Sequence, residues 1–278
     1  MNFDLHNHSH FSDGKHSPEF VLNRARQNGV SHLALTDHDC IEGNLELRRL
    51  GIPPDIQLIS GVEISTVWNN TEIHVVGLCI DPAHPGLQLF LKNQQKKRWL
   101  RIQKMQLAME KNGIGGLTTF LENCGCVSPG RSHVAEFLIR QGKARSHKKA
   151  FKSLARNGRY FAAPQWCEIP DAIAHITEAG GLAVLAHPHR YPLSNGKLKR
   201  LIQEFKQFGG AAMEVSYSNV SNEVRNLLGT LCMDTELYAS IGSDFHDANA
   251  KWMDIGRLQA LPEMCIKNAI WLHPRWHL

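Results

Sequence analysis

The stretch FDLHNHSHFSDG, residues 3–14, decides how the rest of the chain is read. It starts as an apolar strand and then places His6, His8 and His10 within five residues, bracketed by Asp4 and Asp13. Side chains alternate along a strand, so His6 and His8 project to one side, where two imidazoles can hold one ion. A first strand gains little stability from crowded titratable rings. The arrangement asks for a cation, and the search for its remaining ligands leads to the fold.

Short apolar runs recur at 32–36 (HLALT), 57–65 (QLISGVEIS), 73–78 (IHVVGL), 182–187 (LAVLAH), 211–216 (AAMEVS) and 238–244 (YASIGSD). Several are nearly continuous, as strands covered on both faces are. Helical patterns lie between them. Ser17-Pro18 starts one and Gly29 ends it. Segments 170–181 and 198–210 carry apolar residues at helical spacing and stop at paired glycines. Strand–helix–strand alternation predicts an α/β fold with a parallel sheet or barrel.

Polar residues follow nearly every apolar run. They are Asp37, His38 and Asp39, then Glu63, His74, His187 and His189, Glu214, and Asp244 with His246. In parallel α/β folds ligands sit at the carboxyl ends of strands, so these groups are expected to converge. Burying them without a cation would cost about 2–7 kcal/mol for each unpaired group. Imidazole mixed with carboxylate, without thiolate, suits zinc, manganese or iron better than calcium or magnesium. At least six histidines and three carboxylates exceed the four ligands of one zinc, so two or three ions sharing bridging carboxylates are expected. Such a cluster lowers the pKa of bound water from about 15.7 toward ~7 and clamps phosphate oxygens. Asp4, Asp37 and Asp39 are read as groups that orient the ligating imidazoles. His84, His147, His175, His273 and His277 are read as ordinary histidines.

The chain has 278 residues, enough for one large domain carrying a small one. No apolar run reaches membrane-spanning length, and no basic-then-apolar leader precedes the first strand, so neither membrane insertion nor secretion is expected. Seven cysteines without a C-x-x-C pair read as reduced thiols in a cytoplasm. Cys124 and Cys126 alone make an incomplete metal site, and Cys40 reads as a structural thiol. The net charge of +5 is unevenly distributed: residues 92–159 hold sixteen Lys/Arg against three Asp/Glu, and the remainder is acidic. That segment also breaks the strand–helix rhythm, with a long amphipathic helix at about 87–112 and two shorter ones. The expected division is a barrel domain, 1–85 and 165–278, with a basic helical insert, 86–164, suited to a polyanion.

Four motifs, DLHNHSHFSDG, LTDHD, LAHP and GSDFH, with GVEIS among them, resemble in this order the PHP (polymerase and histidinol phosphatase) family of metal-dependent phosphoesterases. The resemblance runs from residue 3 to about 260. It implies a distorted (β/α) barrel of about seven strands with a trinuclear site at the strand C-termini. The metal ligands it implies are His6, His8, Asp13, His38, Glu63, His74, His187, Asp244 and His246, with Glu63 and Asp244 bridging. Histidinol phosphatases commonly have His in place of Asp13. The segment SPGRSHVAEFLIRQG resembles the branch that includes RNase AM and nucleoside 3',5'-bisphosphate phosphatases, which implies that Arg131 and His133 hold substrate phosphate. Ser132 stands where that branch usually has proline. His189 and His133 are candidates to protonate a leaving oxygen. Asp13, Glu63, His189 and Arg131 form the expected catalytic set, Arg131, His133 and His189 the substrate-binding set.

The expected chemistry is attack of metal-bridged hydroxide on phosphorus, with two or three divalent ions, manganese foremost and iron or zinc as alternatives. The expected substrates are nucleoside 3',5'-bisphosphates and 5'-phosphorylated RNA ends, degraded 5' to 3'. Trp99, Tyr160, Phe161 and Trp166 are candidates to stack a base, and the basic helices to track an RNA backbone. The alternatives are a histidinol-phosphatase-type monoesterase and a non-catalytic module that binds metal and RNA. No protein partner can be inferred.

Overall fold

A computed structural model describes residues 2–250 and 252–277. In chain order its elements are β1 (Phe3–Asp4), α1 (Pro18–Gln27), β2 (His32–Leu35), α2 (Glu42–Leu50), β3 (Gln57–Trp68) and β4 (Thr71–Leu78). The helices α3 (Pro85–Glu110), α4 (Leu117–Glu122), α5 (Arg131–Arg140) and α6 (His147–Leu154) follow. The chain then returns through β5 (Cys167–Glu168), α7 (Ile169–Glu178), β6 (Leu182–Leu185), α8 (Asn195–Gln207), β7 (Ala212–Tyr217), α9 (Asn222–Asp234) and β8 (Tyr238–Gly242). Seven strands run in the order β1-β2-β3-β4-β6-β7-β8, and β5 pairs with β3 off that path. The sheet curls back on itself, because Leu5 N donates to Ile241 O at 3.1 Å and Asn7 bridges Phe245. The expected distorted barrel with helices is therefore the fold. Among the described residues no helix is long and apolar enough to cross a membrane.

Local sequence accounts for these elements. Ser17 caps α1 by accepting from Phe20 N at 3.2 Å, with Pro18 at the first helical position. Val21, Leu22 and Ala25 of α1 and Leu47 of α2 pack on Leu33 and Leu35 of β2 from outside. Leu5, Ile64, Val75, Leu185 and Val215 of the strands share one continuous core with Ile173 and Ile176 of α7 and Leu201 of α8.

One expectation fails. The sheet is not wholly parallel, because β4 runs antiparallel to both β3 and β6. The cause is a two-residue hairpin at Asn69-Asn70, both with positive φ (48° and 61°), which favours the mirror-image turns that join antiparallel strands. The β3–β4 pairing then runs from Trp68↔Thr71 to Gly61↔Leu78. His74 consequently reaches the barrel mouth from the first half of its strand, not from a carboxyl end.

The reversal also positions the helical insert. Because β4 ends away from the mouth, α3, about 39 Å long at 1.5 Å per residue, runs back toward it. Leu87 and Leu91 pack on the barrel core, while Ile102, Met105 and Met109 belong to a separate cluster with Leu121, Phe137 and Leu154. Helix α3 is thus part of both cores. The insert contains four helices rather than three; α4 was not expected.

Candidate metal centre

Three strand ends adopt backbone that non-glycine residues seldom take: Asp39 (φ 46°), His187 (φ 28°) and Asp244 (φ 56°). Strain of this kind costs roughly 1–3 kcal/mol per residue and persists where surrounding structure holds it. Here each kink redirects a polar side chain at the mouth. Gly242 lets β8 close on β1, since a Cβ at that position would lie 2.3 Å from His6 Cβ.

The nine residues named from sequence as ligands come together. Glu63, fully buried, is the hub. Its Oε2 lies 3.3 Å from His6 Nε2, 3.2 Å from His8 Nε2 and 2.9 Å from His38 Nδ1. Its Oε1 lies 3.0 Å from His74 Nδ1 and 3.1 Å from His187 Nε2. Asp244 Oδ1 stands 3.5 Å from His6 Nε2 and 3.2 Å from His8 Nε2. Asp13 Oδ1 stands 3.1 Å from His246 Nε2 and 3.6 Å from His38 Nε2. Their donor atoms form three overlapping groups: His8, Asp13, His38 and His246; His6, His8 and Asp244; His38, Glu63 and His74.

This donor set fits divalent cations. Asp13 Oδ1, His38 Nδ1, Glu63 Oε2 and His187 Nδ1 are buried without a hydrogen-bond partner. His38 Nδ1 and Glu63 Oε2 approach to 2.9 Å yet lack hydrogen-bond geometry. Burial pulls His8 and His74 toward neutrality, but hydrogen bonds with Asp244 and Glu63 lift His8 to about 9, and the Glu63 charge lifts His74 to about 10. Burial pushes Glu63 up, yet the His38, His6 and His74 rings hold it well below the usual carboxylate range. In each case the cage favours positive charge.

Surrounding groups aim the rings. His6 Nδ1 lies 2.6 Å from Glu214 Oε1, and Glu214 Oε2 accepts from His187 N at 2.6 Å. That bond turns His6 Nε2 toward Glu63 and Asp244. Asp4, Asp37 and Asp39 do not touch the imidazoles as expected. Asp4 accepts from Ser243 N and Gly256 N, and burial raises it to about 6. Asp37 accepts from Ser9 N, Ser9 Oγ and Ser12 Oγ, and Asp39 from Ser65 N and Arg98 Nε. Backbone and neighbouring donors take these carboxylates first. Cys40 is buried and outside the cage, and burial pushes its thiol well up.

A cavity of about 510 Å³ opens over the cage, lined also by Glu72, Arg98, Arg131, Ser132, Phe151 and Arg190. Arg131, with 37% of its side chain exposed, faces Glu72 at 3.4 Å. His133 does not line this cavity; its Nδ1 accepts from Gly130 N at 3.1 Å and caps its own helix. His189 is exposed and lines no cavity at the mouth, whereas the next residue, Arg190, pairs with Asp244 and lies 5.0 Å over the Tyr217 ring. Ser132 Oγ donates to Asp13 Oδ2 at 2.7 Å. Of the four aromatic candidates, Tyr160 and Trp166 are buried, and Trp166 lies beneath Arg98 and Arg101. Trp99 packs against the insert core, and only Phe161 meets a cavity beside the cage. Glu72, Arg98 and Arg190 were missed. Arg98 and Arg101 had a signal, since both fall on the stripe Leu87–Leu91–Ile102–Met105–Met109 that α3 buries.

An α/β barrel with a histidine–carboxylate cage at the strand ends defines a class of metal-site barrel proteins. The PHP domain family matches residues 4–215, and the chain belongs to that family. It is 44% identical to a 5'-3' exoribonuclease Rnm of Salmonella typhimurium, over 94% of this chain and 90% of that protein. It is 35% identical to a 3',5'-nucleoside bisphosphate phosphatase of Chromobacterium violaceum, over 97% of this chain and 95% of that protein. A solved Chromobacterium violaceum structure, described as an amidohydrolase with bound sulfate and no metal, superposes with a TM-score of 0.88 at 35% identity, covering 99% of this chain and 97% of that one.

Proposed function

We propose that the protein is a metal-dependent phosphoesterase that hydrolyses nucleoside 3',5'-bisphosphates and shortens 5'-phosphorylated RNA from its 5' end. The observation that carries this is Glu63, a buried carboxylate faced by five imidazoles and flanked by Asp13 and Asp244, beneath a cavity edged by Arg131 and Arg190. His6, His8, Asp13, His38, Glu63, His74, His187, Asp244 and His246 would hold two or three divalent ions, manganese foremost, with iron or zinc as alternatives. Bound there, such ions supply a water of lowered pKa and neutralise phosphate charge.

The chain's own groups supply the rest. Glu214 fixes the His6 ring, and Ser132 fixes one oxygen of Asp13. Arg131 and Arg190 bind the non-bridging oxygens of the reacting phosphate, a role suited to a planar, permanently charged fork. His133 and His189, which do not line the cage cavity, have no part in this reading. In both substrates the scissile bond joins phosphorus to the 3'-oxygen of a 5'-phosphorylated nucleotide. Water adds to phosphorus, the 3'-oxygen leaves with a proton, and a nucleoside 5'-monophosphate is released. One reaction thus serves two substrate lengths. The basic insert, 86–164, treated as a unit that tracks RNA, extends the same reading, and seven free thiols suit a reducing cytoplasm.

The test adds Mn²⁺ to metal-stripped protein and compares phosphate release from adenosine 3',5'-bisphosphate with nucleotide release from 5'-phosphorylated RNA. Both should occur, and Glu63→Ala should abolish both. Turnover of simple monoesters alone would contradict the proposal.

A further inference from the structure

The charge of the insert is concentrated at one place. From Phe137 to Cys167 the sequence holds eight Lys/Arg and no Asp/Glu. Of these cations Arg140 alone has a carboxylate within 4 Å among the described residues, that of Glu136 at 2.9 Å. Arg145, just ahead of α6, and Lys148, Lys149 and Lys152 on it are exposed. Lys148 and Lys152 stand four residues apart, where like charges on a helix repel and weaken it. Folding therefore does not account for this row; a polyanion does.

The phase of α6 shows where the charge is turned. Ala150 and Leu154 are buried in the insert core with Phe137 and Leu138. Lys148 and Lys152 fall on the side away from that core, and Phe151 comes between the two sides. Phe151 is 38% exposed and lines the cavity over the cage. The basic face thus starts at the cavity wall and continues over the outside of the insert. The cations of α3 are disposed otherwise. Arg98 and Arg101 meet Asp39 and Glu72, and Lys97 donates to Gln94 Oε1 at 3.0 Å. Lys92 and Lys96 border an apolar groove with Leu89 and Leu100 that shares no residue with the cage cavity.

Resting on the function read above, we propose that the exposed face of α6, with Arg145 ahead of it, carries the RNA strand beyond the scissile bond, and that the cations of α3 take no part. When the first nucleotide leaves through its 3'-oxygen, the reacting phosphate stays on the next nucleotide as its new 5'-phosphate. The strand beyond that phosphate passes Phe151 at the cavity wall and lays its phosphates along Lys148, Lys149 and Lys152. Contacts of this kind fix register and carry no sequence information, so the strand is held whatever its bases. A nucleoside bisphosphate has no such strand, and this face separates the two substrates of one cage. Continuity with the cage cavity favours the substrate over an acidic protein as occupant.

The test measures kcat/KM of Mn²⁺-loaded protein on 5'-phosphorylated RNA of about eight nucleotides and on adenosine 3',5'-bisphosphate. The ratio of RNA to bisphosphate should fall about tenfold in Lys148→Gln/Lys152→Gln and recover in Lys148→Arg/Lys152→Arg. Anisotropy of a 3'-labelled RNA, read in the slow Glu63→Gln background, should show the slope of log affinity against log salt reduced by about 1.4, roughly 0.7 for each lost phosphate contact. A Lys148→Gln/Lys152→Gln protein with the wild-type ratio and salt slope overturns the proposal, and is the result an acidic protein partner for this face would give. An equal loss in Lys92→Gln/Lys96→Gln overturns the assignment to α6. A wild-type protein that turns over neither substrate overturns the functional reading instead, and the anisotropy comparison still decides the role of α6.

Discussion

Two buried, charged regions lie side by side, and they balance charge in opposite ways. On the inner face of α3, Arg98 donates to Asp39 at 2.7 Å and to Ser65 Oγ at 2.6 Å, and Arg101 meets Glu72. Arg98 there has a carboxylate of its own, and Arg101 shares Glu72 with Arg131. In the cage three carboxylates share six imidazoles, and several of their atoms meet no hydrogen-bond partner. A charge with a dedicated partner fastens the fold; charges that share their partners and leave buried atoms unpaired leave the balance to a ligand. Burial does not separate these regions, since Arg98 and Glu63 are both buried. Pairing does.

Substitutions can break this contrast. The largest effect is expected at the hub: Glu63→Gln keeps the shape, removes the charge, and should lower turnover by about a thousandfold or more, with little change in urea midpoint. A Glu63→Gln protein that unfolds early but keeps its turnover would place Glu63 with the fastening charges. Next comes Arg98→Met, which strands Asp39 in the interior and should cost about 3–5 kcal/mol, read from urea unfolding. Adding Asp39→Asn should return part of that loss, and a double variant no better than the single would show that packing rather than pairing is at stake. A smaller effect is expected from Arg131→Ala at the cavity edge, about a tenfold rise in KM with kcat nearly kept, measured on the nucleotide bisphosphate.

The pH dependence sharpens the same contrast. With His8 raised to about 9 and His74 to about 10, both rings carry protons at pH 7.5 until cations displace them. Loading should therefore release protons at pH 7.5, at least about two per chain because His6 and His246 are raised as well, and metal affinity should rise with pH and fall as the rings protonate. Calorimetry in buffers of different protonation heat counts those protons; release that does not fall between pH 7.5 and 10.5 would contradict the assignment.

Much of the cage was legible from sequence because most of its ligands close a short apolar run and strand ends in such folds share one face, while the full set of nine, with Asp13, was implied by the resemblance to the PHP family. Three things were hidden. The antiparallel β4 turned on Asn69-Asn70, a hairpin signal with no bearing on histidine spacing. The orienting role passed from Asp4, Asp37 and Asp39 to Glu214, because backbone donors at the loops captured the nearer carboxylates. Arg190 stood beside His189, and only the turn at Pro188–Arg190 determines which of the two meets Asp244.

The proposed function turns on Glu63, which would help to hold the cations of the cage. Metal-stripped protein reloaded with Mn²⁺ and cleared of free ion can be analysed for metal per chain, beside Glu63→Ala treated identically. Two or three ions per wild-type chain and at least one fewer in the variant are expected. Equal metal content in the two proteins, or none in either, would contradict it.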